Sequence, residues 1–162
     1  MHPATRSLKA EVPLYQSLAE FRHQLRLFLA ASEEAAHKAG LHPQQHQLLL
    51  AVAGAGDGQT PSIAYVAERL GLKHNTVVEL VDRSEQQGLL QRRSDPEDGR
   101  RVRVEATARG RRLLARLSQF HFQELNLRAP QLIAALQNVL RNGPENVRTR
   151  RPRKTFEAPT HA

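Results

Sequence analysis

Cysteine is absent from the 162 residues, which excludes disulfides, thiolate zinc sites and thiol-based redox sensing. Long apolar runs are missing as well: the most hydrophobic stretch, Leu48 to Ala55, is far too short to span a bilayer, and the amino terminus lacks a basic, apolar and small-residue signal pattern. Catalytic signatures are equally scarce. There is no Gly-x-Ser-x-Gly elbow, no His-Glu-x-x-His and no P-loop, so nothing sets a nucleophile against a base. Gly54-Ala55-Gly56-Asp57-Gly58 has the glycines of a phosphate loop but neither a preceding strand nor its lysine, and reads as a connector. These absences describe a soluble, cytoplasmic, non-enzymatic protein with no cofactor and no membrane partner.

The length suits one folded domain with one real core. A net charge of +8 points to a polyanionic partner, but its distribution matters. Six of the basic residues (Arg141, Arg148, Arg150, Arg151, Arg153, Lys154) stand against Glu145 and Glu157 at the carboxyl end, giving +4 of the total. Pro61 to Gly110 holds nine basic and eight acidic residues and is nearly neutral, so any reading of nucleic acid there rests on where the arginines sit.

Met1 to Pro13 shows no periodicity and reads as a loosely held arm. Leu14, Leu18, Phe21, Leu25, Phe28 and Leu29 recur at spacings of three and four and predict an amphipathic helix over 14–38. Gly40 stops it, and His42-Pro43-Gln44-Gln45 starts another, with Pro43 suited to the first helical position and Gln45 able to reach back to the cap. Ile63, Val66, Ala67 and Leu70 mark a short helix closed by Gly71. The next runs from about His74 to Gln87, with Val77, Leu80 and Val81 inward. After Gly88, two short strands with inward Val102 and Val104 flank an acidic, turn-rich tip. Thr107 caps a helix striped by Leu113, Leu114, Leu117, Phe120 and Leu125, which Pro130 is expected to break; Leu132, Ile133, Leu136 and Leu140 then predict a last helix to 141. The Pro/Arg-rich tail, 143–162, reads as disordered.

Two helices with a short glycine-containing turn, followed at once by a hairpin that presents arginines, have the order of a winged helix-turn-helix over 43–105. The residues that touch base edges are the outward ones near the amino end of the second helix: here His74, Asn75, Thr76, Val78 and Glu79, with Lys73 just before. Asn75 suits adenine, Thr76 and Val78 a thymine methyl, and Glu79 the cytosine amino group. Arg83, a turn further on, is placed for a phosphate. In the hairpin, Arg100 is aimed at the minor groove, with Arg92, Arg93, Arg101 and Arg103 supplying phosphate contacts. The bland alternative is a solvated helix face and a mixed-charge hairpin, for which Glu79, Asp82 and Glu85 speak. His42 and His46 have the spacing of a zinc pair, but Pro43 puts His42 at a cap and no third ligand is evident, so surface or capping roles are expected.

Taken together, Gly40-Leu41-His42-Pro43-Gln44-Gln45, Ile63 to Leu70, Asn75-Thr76-Val77 to Asp82-Arg83, Gly88-Leu89 and Asp95-Pro96-Glu97-Asp98-Gly99-Arg100 with Thr107 and Gly110 resemble the MarR family of winged-helix transcription regulators. The resemblance spans nearly the whole chain. It implies a mainly α fold with a small β-wing, one domain over 14–142 whose helices 14–38 and 107–141 form a homodimer, a palindromic duplex DNA operator, and a small aromatic or anionic effector in a cleft near His23, His37 and His121. Repression relieved by that effector is the expected activity. Ser84 stands where the family has a core leucine, Gly99 where it has a wing arginine, and Ala106 where it has a leucine. The first two departures keep alive a second reading, a non-enzymatic ligand-sensing or protein-interaction dimer with weakened DNA reading.

Overall fold

The computed structural model describes residues 3–56, 58–94 and 102–143, with side chains from Glu11 onward. The hairpin tip with Gly99, Arg100 and Arg101, and the tail from 144, lie outside the described residues. Seven elements follow in order: α1 (Pro3–Lys38), α2 (Pro43–Ala53), α3 (Ile63–Leu70), α4 (His74–Gln86), β1 (Leu90–Ser94), β2 (Val102–Ala106) and α5 (Ala108–Asn142). The fold is therefore mainly helical with a small antiparallel β-wing, as the residue pattern predicts. The chain divides into two compact units, residues 25–130 and residues 1–24 with 131–162.

Local chemistry explains the element boundaries in the 25–130 unit. His42 caps α2 with a full capping box: its Nδ1 accepts from Gln44 N at 3.4 Å while Gln45 Oε1 accepts from His42 N at 3.1 Å. Ser62 Oγ accepts from Tyr65 N and starts α3, and Gly71, left-handed at φ 64°, ends it. Thr107 Oγ1 accepts from Gly110 N at 3.1 Å and opens α5, as the sequence predicts. The core gathers Leu48 and Leu49 of α2, Val66 of α3, Val77, Leu80 and Val81 of α4, Leu89, Leu90, Val104, and Leu114 and Leu117 of α5.

Three expectations are corrected. Helix α1 begins at Pro3 rather than Leu14, carrying Pro13 inside it, so the supposed arm is helical. In the unit formed by residues 1–24 and 131–162, Ser17 Oγ donates to Pro13 O at 2.8 Å and accepts from Asn142 Nδ2 at 2.8 Å. Pro130 does not break α5, which runs unbroken to Asn142; one proline removes a single backbone donor, while Leu132, Ile133, Leu136 and Leu140 continue the helical spacing beyond it. Val102 is 48% exposed rather than inward. It shares a face with buried Val104, but in the register Ser94↔Val102 to Leu90↔Ala106 it lies at the strand end furthest from the core.

The apolar stripe of α1 is only partly covered: Leu18, Leu25 and Leu29 are 38–40% exposed. On α5, Leu114 and Leu117 are buried while Phe120, Phe122, Leu125, Ile133, Leu136 and Leu140 remain exposed. Neither helix finishes burying its hydrophobic residues within one chain.

Gly110 packs where a side chain cannot. A Cβ there would run into the Leu89 carbonyl oxygen and meet Leu49 Cδ2 at 3.0 Å. Glycine to alanine inside a helix ordinarily stabilises by roughly 0.5–1 kcal/mol, so the sign is diagnostic: Gly110→Ala is expected to destabilise the fold by about 2–3 kcal/mol, measured by denaturant unfolding.

Candidate nucleic-acid interface

Helix α4 buries Val77, Leu80, Val81 and Ser84 and turns Lys73, His74, Asn75, Glu79 and Arg83 to solvent, with Thr76 and Val78 part-exposed at the edge of that face. The seven α4 residues singled out in the sequence thus lie together on one open surface. Lys73 is the N-cap and makes no side-chain cap bond, so the first backbone N–H groups of α4 keep their positive dipole end available to an anion.

The hairpin packs beside α4. In the antiparallel register Arg92 faces Val104 on the core side, whereas Arg93 faces Arg103 on the outer side. Like charges directly opposite across two strands are destabilising. Arg103 is relieved by Glu105, Nη2 to Oε1 at 2.6 Å. Arg93 is exposed and makes only a long bond to Gln91 Oε1, 3.4 Å.

Arg92 is the member of the expected set that the structure turns elsewhere. Its guanidinium meets Asp82 Oδ1 at 2.7 Å and also pairs with Glu85 Oε2, while Glu85 Oε1 accepts its backbone N–H at 2.6 Å. Burial opposes the guanidinium charge, but hydrogen bonds and attraction from Asp82 and Glu85 outweigh it and raise the pKa above the ordinary arginine value. Arg92 therefore ties β1 to α4, and Asp82 and Glu85, which look like a solvated acidic face in the sequence, are its partners.

Ser84, the departure from a core leucine, leaves no loose site. It is fully buried; its Oγ donates to Leu80 O at 2.7 Å and lies 3.5 Å from Gln45 Nε2, which also donates to Gln87 Oε1 at 3.0 Å. A polar bridge between the start of α2 and the end of α4 fills the place of an apolar contact.

His46, expected at the surface, is 5% exposed and stacks on His121 with ring centroids 4.7 Å apart. Phe28 meets the same His121 edge-on at 6.4 Å. The Nε2 atoms of both histidines are buried without a hydrogen-bond partner. Burial, aided by His121, pushes the His46 pKa down to about 4. Among the described residues no group of three or more His, Cys, Asp or Glu is arranged to hold a metal, and no helix is long and apolar enough to cross a membrane.

Two outcomes are expected. Arg92→Ala should lower stability by about 1 kcal/mol, discounted for the pair's partial exposure, while leaving the salt dependence of DNA binding nearly unchanged; parallel unfolding and binding titrations check this. In the folded protein His46 stays neutral well below the unfolded value near 6.5, so the unfolded state binds the extra proton. Stability should therefore fall as pH drops from 6.5 toward 4, by at most roughly 1.4 kcal/mol per pH unit, and His46→Phe should flatten that part of the profile.

Comparison with known proteins places this geometry. Residues 39–101 match the family model described as MarR family. A crystal structure of a MarR-family transcription regulator superposes with a TM-score of 0.64 at 22% identity, covering 79% of this chain and 86% of its own. Wild-type MarR of E. coli in its apo form gives 0.59 at 18%, covering 74% and 90%. The transcriptional repressor CouR bound to a 23-mer DNA duplex gives 0.57 at 25%, covering 74% and 85%. No curated protein sequence matches the chain. The helix pair, the wing strands and the long flanking helices have the fold of MarR-family transcription regulators, and the sequence match to that family covers residues 39–101.

Proposed function

We propose that this protein is a sequence-specific DNA-binding transcription regulator, a cytoplasmic, non-enzymatic homodimer that represses from a palindromic operator until a small molecule releases it. The observation that carries this reading is the open face of α4: Lys73, His74, Asn75, Thr76, Val78, Glu79 and Arg83 are presented on a helix whose other side is locked into the core. A helix of this kind fits the major groove, and residues at its amino-terminal end reach base edges. CouR, at 25% identity, is bound to duplex DNA in its crystal structure, and that likeness supports the same class of partner here.

In this reading Asn75 pairs with adenine, Thr76 and Val78 contact a thymine methyl, and Glu79 accepts from cytosine. His74 also faces base edges, Lys73 and Arg83 lie against phosphates, and so do Arg93 and, on the wing beyond the described residues, Arg101. Arg100 enters the adjacent minor groove, where A/T-rich tracts concentrate negative potential. Arg103 contacts phosphate only by sharing its guanidinium with Glu105. Dimerisation is supported by the uncovered apolar residues of α1 and α5, and two-fold symmetry would set the recognition helices in successive major grooves about 34 Å apart.

The effector reading rests on an open cavity of about 440 Å³ between the end of α1 and the middle of α5. Ala31, Ala35, Leu117 and Phe120 give it an apolar wall. Lys38 and Arg128 at its rim are paired with Glu34 and Glu124. The apolar wall suits a small aromatic molecule, and Arg116, which lines the cavity and forms no ion pair among the described residues, suits a carboxylate on it.

Binding of variants to duplex DNA at several salt concentrations tests the division of labour. Asn75→Ala should relax preference at particular bases at a cost of about 1–3 kcal/mol. Arg83→Ala should weaken all sequences alike and flatten the logarithmic salt slope by roughly one unit. Equal affinity of both variants for every duplex at every salt would remove α4 from the interface.

A further inference from the structure

A second cavity of about 310 Å³ lies where the turn after α1 meets the first turns of α5, and Arg109, Arg112 and Arg116 all line it. Ala39, Gly40, Leu41, Gln87, Leu89 and Leu113 complete the lining, so no carboxylate lines this cavity, while Glu34 and Glu124 line the adjoining one that Arg116 also lines. In the same unit Lys38 pairs with Glu34, Arg92 with Asp82 and Glu85, Arg103 with Glu105 and Arg128 with Glu124. Arg109, Arg112 and Arg116 form no ion pair among the described residues, and all three are exposed. They share one side of α5 at spacings of three and four, where like charges destabilise a helix. Three unpaired arginines bordering one concavity, at spacings where like charges repel, suit an anion.

We propose that this cavity binds a phosphate-bearing small molecule, and that it is the anionic part of the effector site on which the proposed function rests. Three guanidinium groups exceed what one carboxylate can neutralise, whereas a phosphate monoester or diphosphate offers the charge and the oxygens for bidentate pairing. The cavity adjoins the apolar one, since Ala39 and Arg116 line both; a ligand with an apolar body and a phosphorylated end spans the two. It also reaches the reader. Gln87 lines the cavity, caps α4 through its backbone N–H to Arg83 O at 3.2 Å, and accepts from Gln45, whose Nε2 also lies against Ser84. A ligand that draws on Gln87 therefore acts on the carboxyl end of the recognition helix, a differential contact of the kind coupling requires. These arginines do not serve as DNA contacts in this account: α5 follows the buried Leu90↔Ala106 end of the hairpin, away from the Ser94↔Val102 end that leads to the tip.

The test uses inorganic pyrophosphate on the full chain, with sodium chloride at matched ionic strength as reference. Pyrophosphate should raise the melting temperature saturably. Arg112→Gln combined with Arg116→Gln should weaken that binding at least tenfold, the scale expected for losing charge-assisted hydrogen bonds, while Arg26→Gln, on α1 outside the cavity, should leave it unchanged. Pyrophosphate should also lower duplex affinity in the natural protein and not in the double variant. No saturable stabilisation, or equal stabilisation of the double variant, overturns the proposal. So does a double variant that binds pyrophosphate normally but loses duplex affinity and salt slope, which would make these arginines DNA contacts. Absence of duplex binding by the natural protein would defeat the proposed function instead, leaving the pyrophosphate arm to decide the site on its own.

Discussion

Arg92, held between Asp82 and Glu85, is the contact through which the reading surface acquires a fixed shape. A recognition helix and a wing engage adjacent grooves only if the angle between them is set before DNA arrives. Backbone hydrogen bonds at the joint, Leu89 N to Ser84 O at 2.9 Å and Thr107 N to Leu89 O at 3.0 Å, fix the path of the chain. The ion-paired guanidinium then binds the first strand to the last two turns of α4. Two carboxylates converge on one cation, so Arg92 offsets one of the two negative charges that Asp82 and Glu85 bring to α4.

The same joint carries a second, polar layer. Thr107 Oγ1 donates to Gly88 O at 2.6 Å and accepts from Gly110 N, so one hydroxyl closes the turn after α4 and opens α5. Gly110 must lack a side chain for α5 to approach Leu89, and Ser84 with Gln45 and Gln87 replaces apolar packing with directional bonds. Buried polar bridges are sensitive to small displacements, because losing one partner leaves the other unsatisfied. The bridge joins the start of α2 to the end of α4, and its member Gln87 also lines the neighbouring cavity. The departure from leucine at 84, which in the sequence favours a decayed reader, is in the structure a satisfied contact.

What the sequence discloses is what local chemistry decides. Val77, Leu80 and Val81 recur at helical spacing and therefore give the buried side of α4 and, by complement, its open face. His42, Gly71 and Thr107 act within a few residues of themselves, so their capping roles are visible without a fold. The partners of Arg92 are not visible in this way, since the turn at Gly88 must form before Glu85 and Asp82 come into reach. His46 and His121 are far apart in the chain and stack only once α2 and α5 pack, which hides the burial that depresses the His46 pKa. Pro130 and the first residues of α1 show the opposite limit: local propensity argues against helix there, and the continuing helical pattern overrides it. The arginines of α5 are unremarkable as a helix face and acquire meaning only from the cavity they share.

In the proposed regulator α4 reads duplex sequence from a geometry the wing joint holds fixed. Selection of bound sites from random duplex DNA by the full chain tests it most directly. The account predicts enrichment of an inverted repeat with half-site centres roughly one helical turn apart, and loss of preference at defined positions within each half when Asn75→Ala is selected in parallel. Recovery of unenriched sequences, bound with a salt dependence but without a consensus, would contradict it.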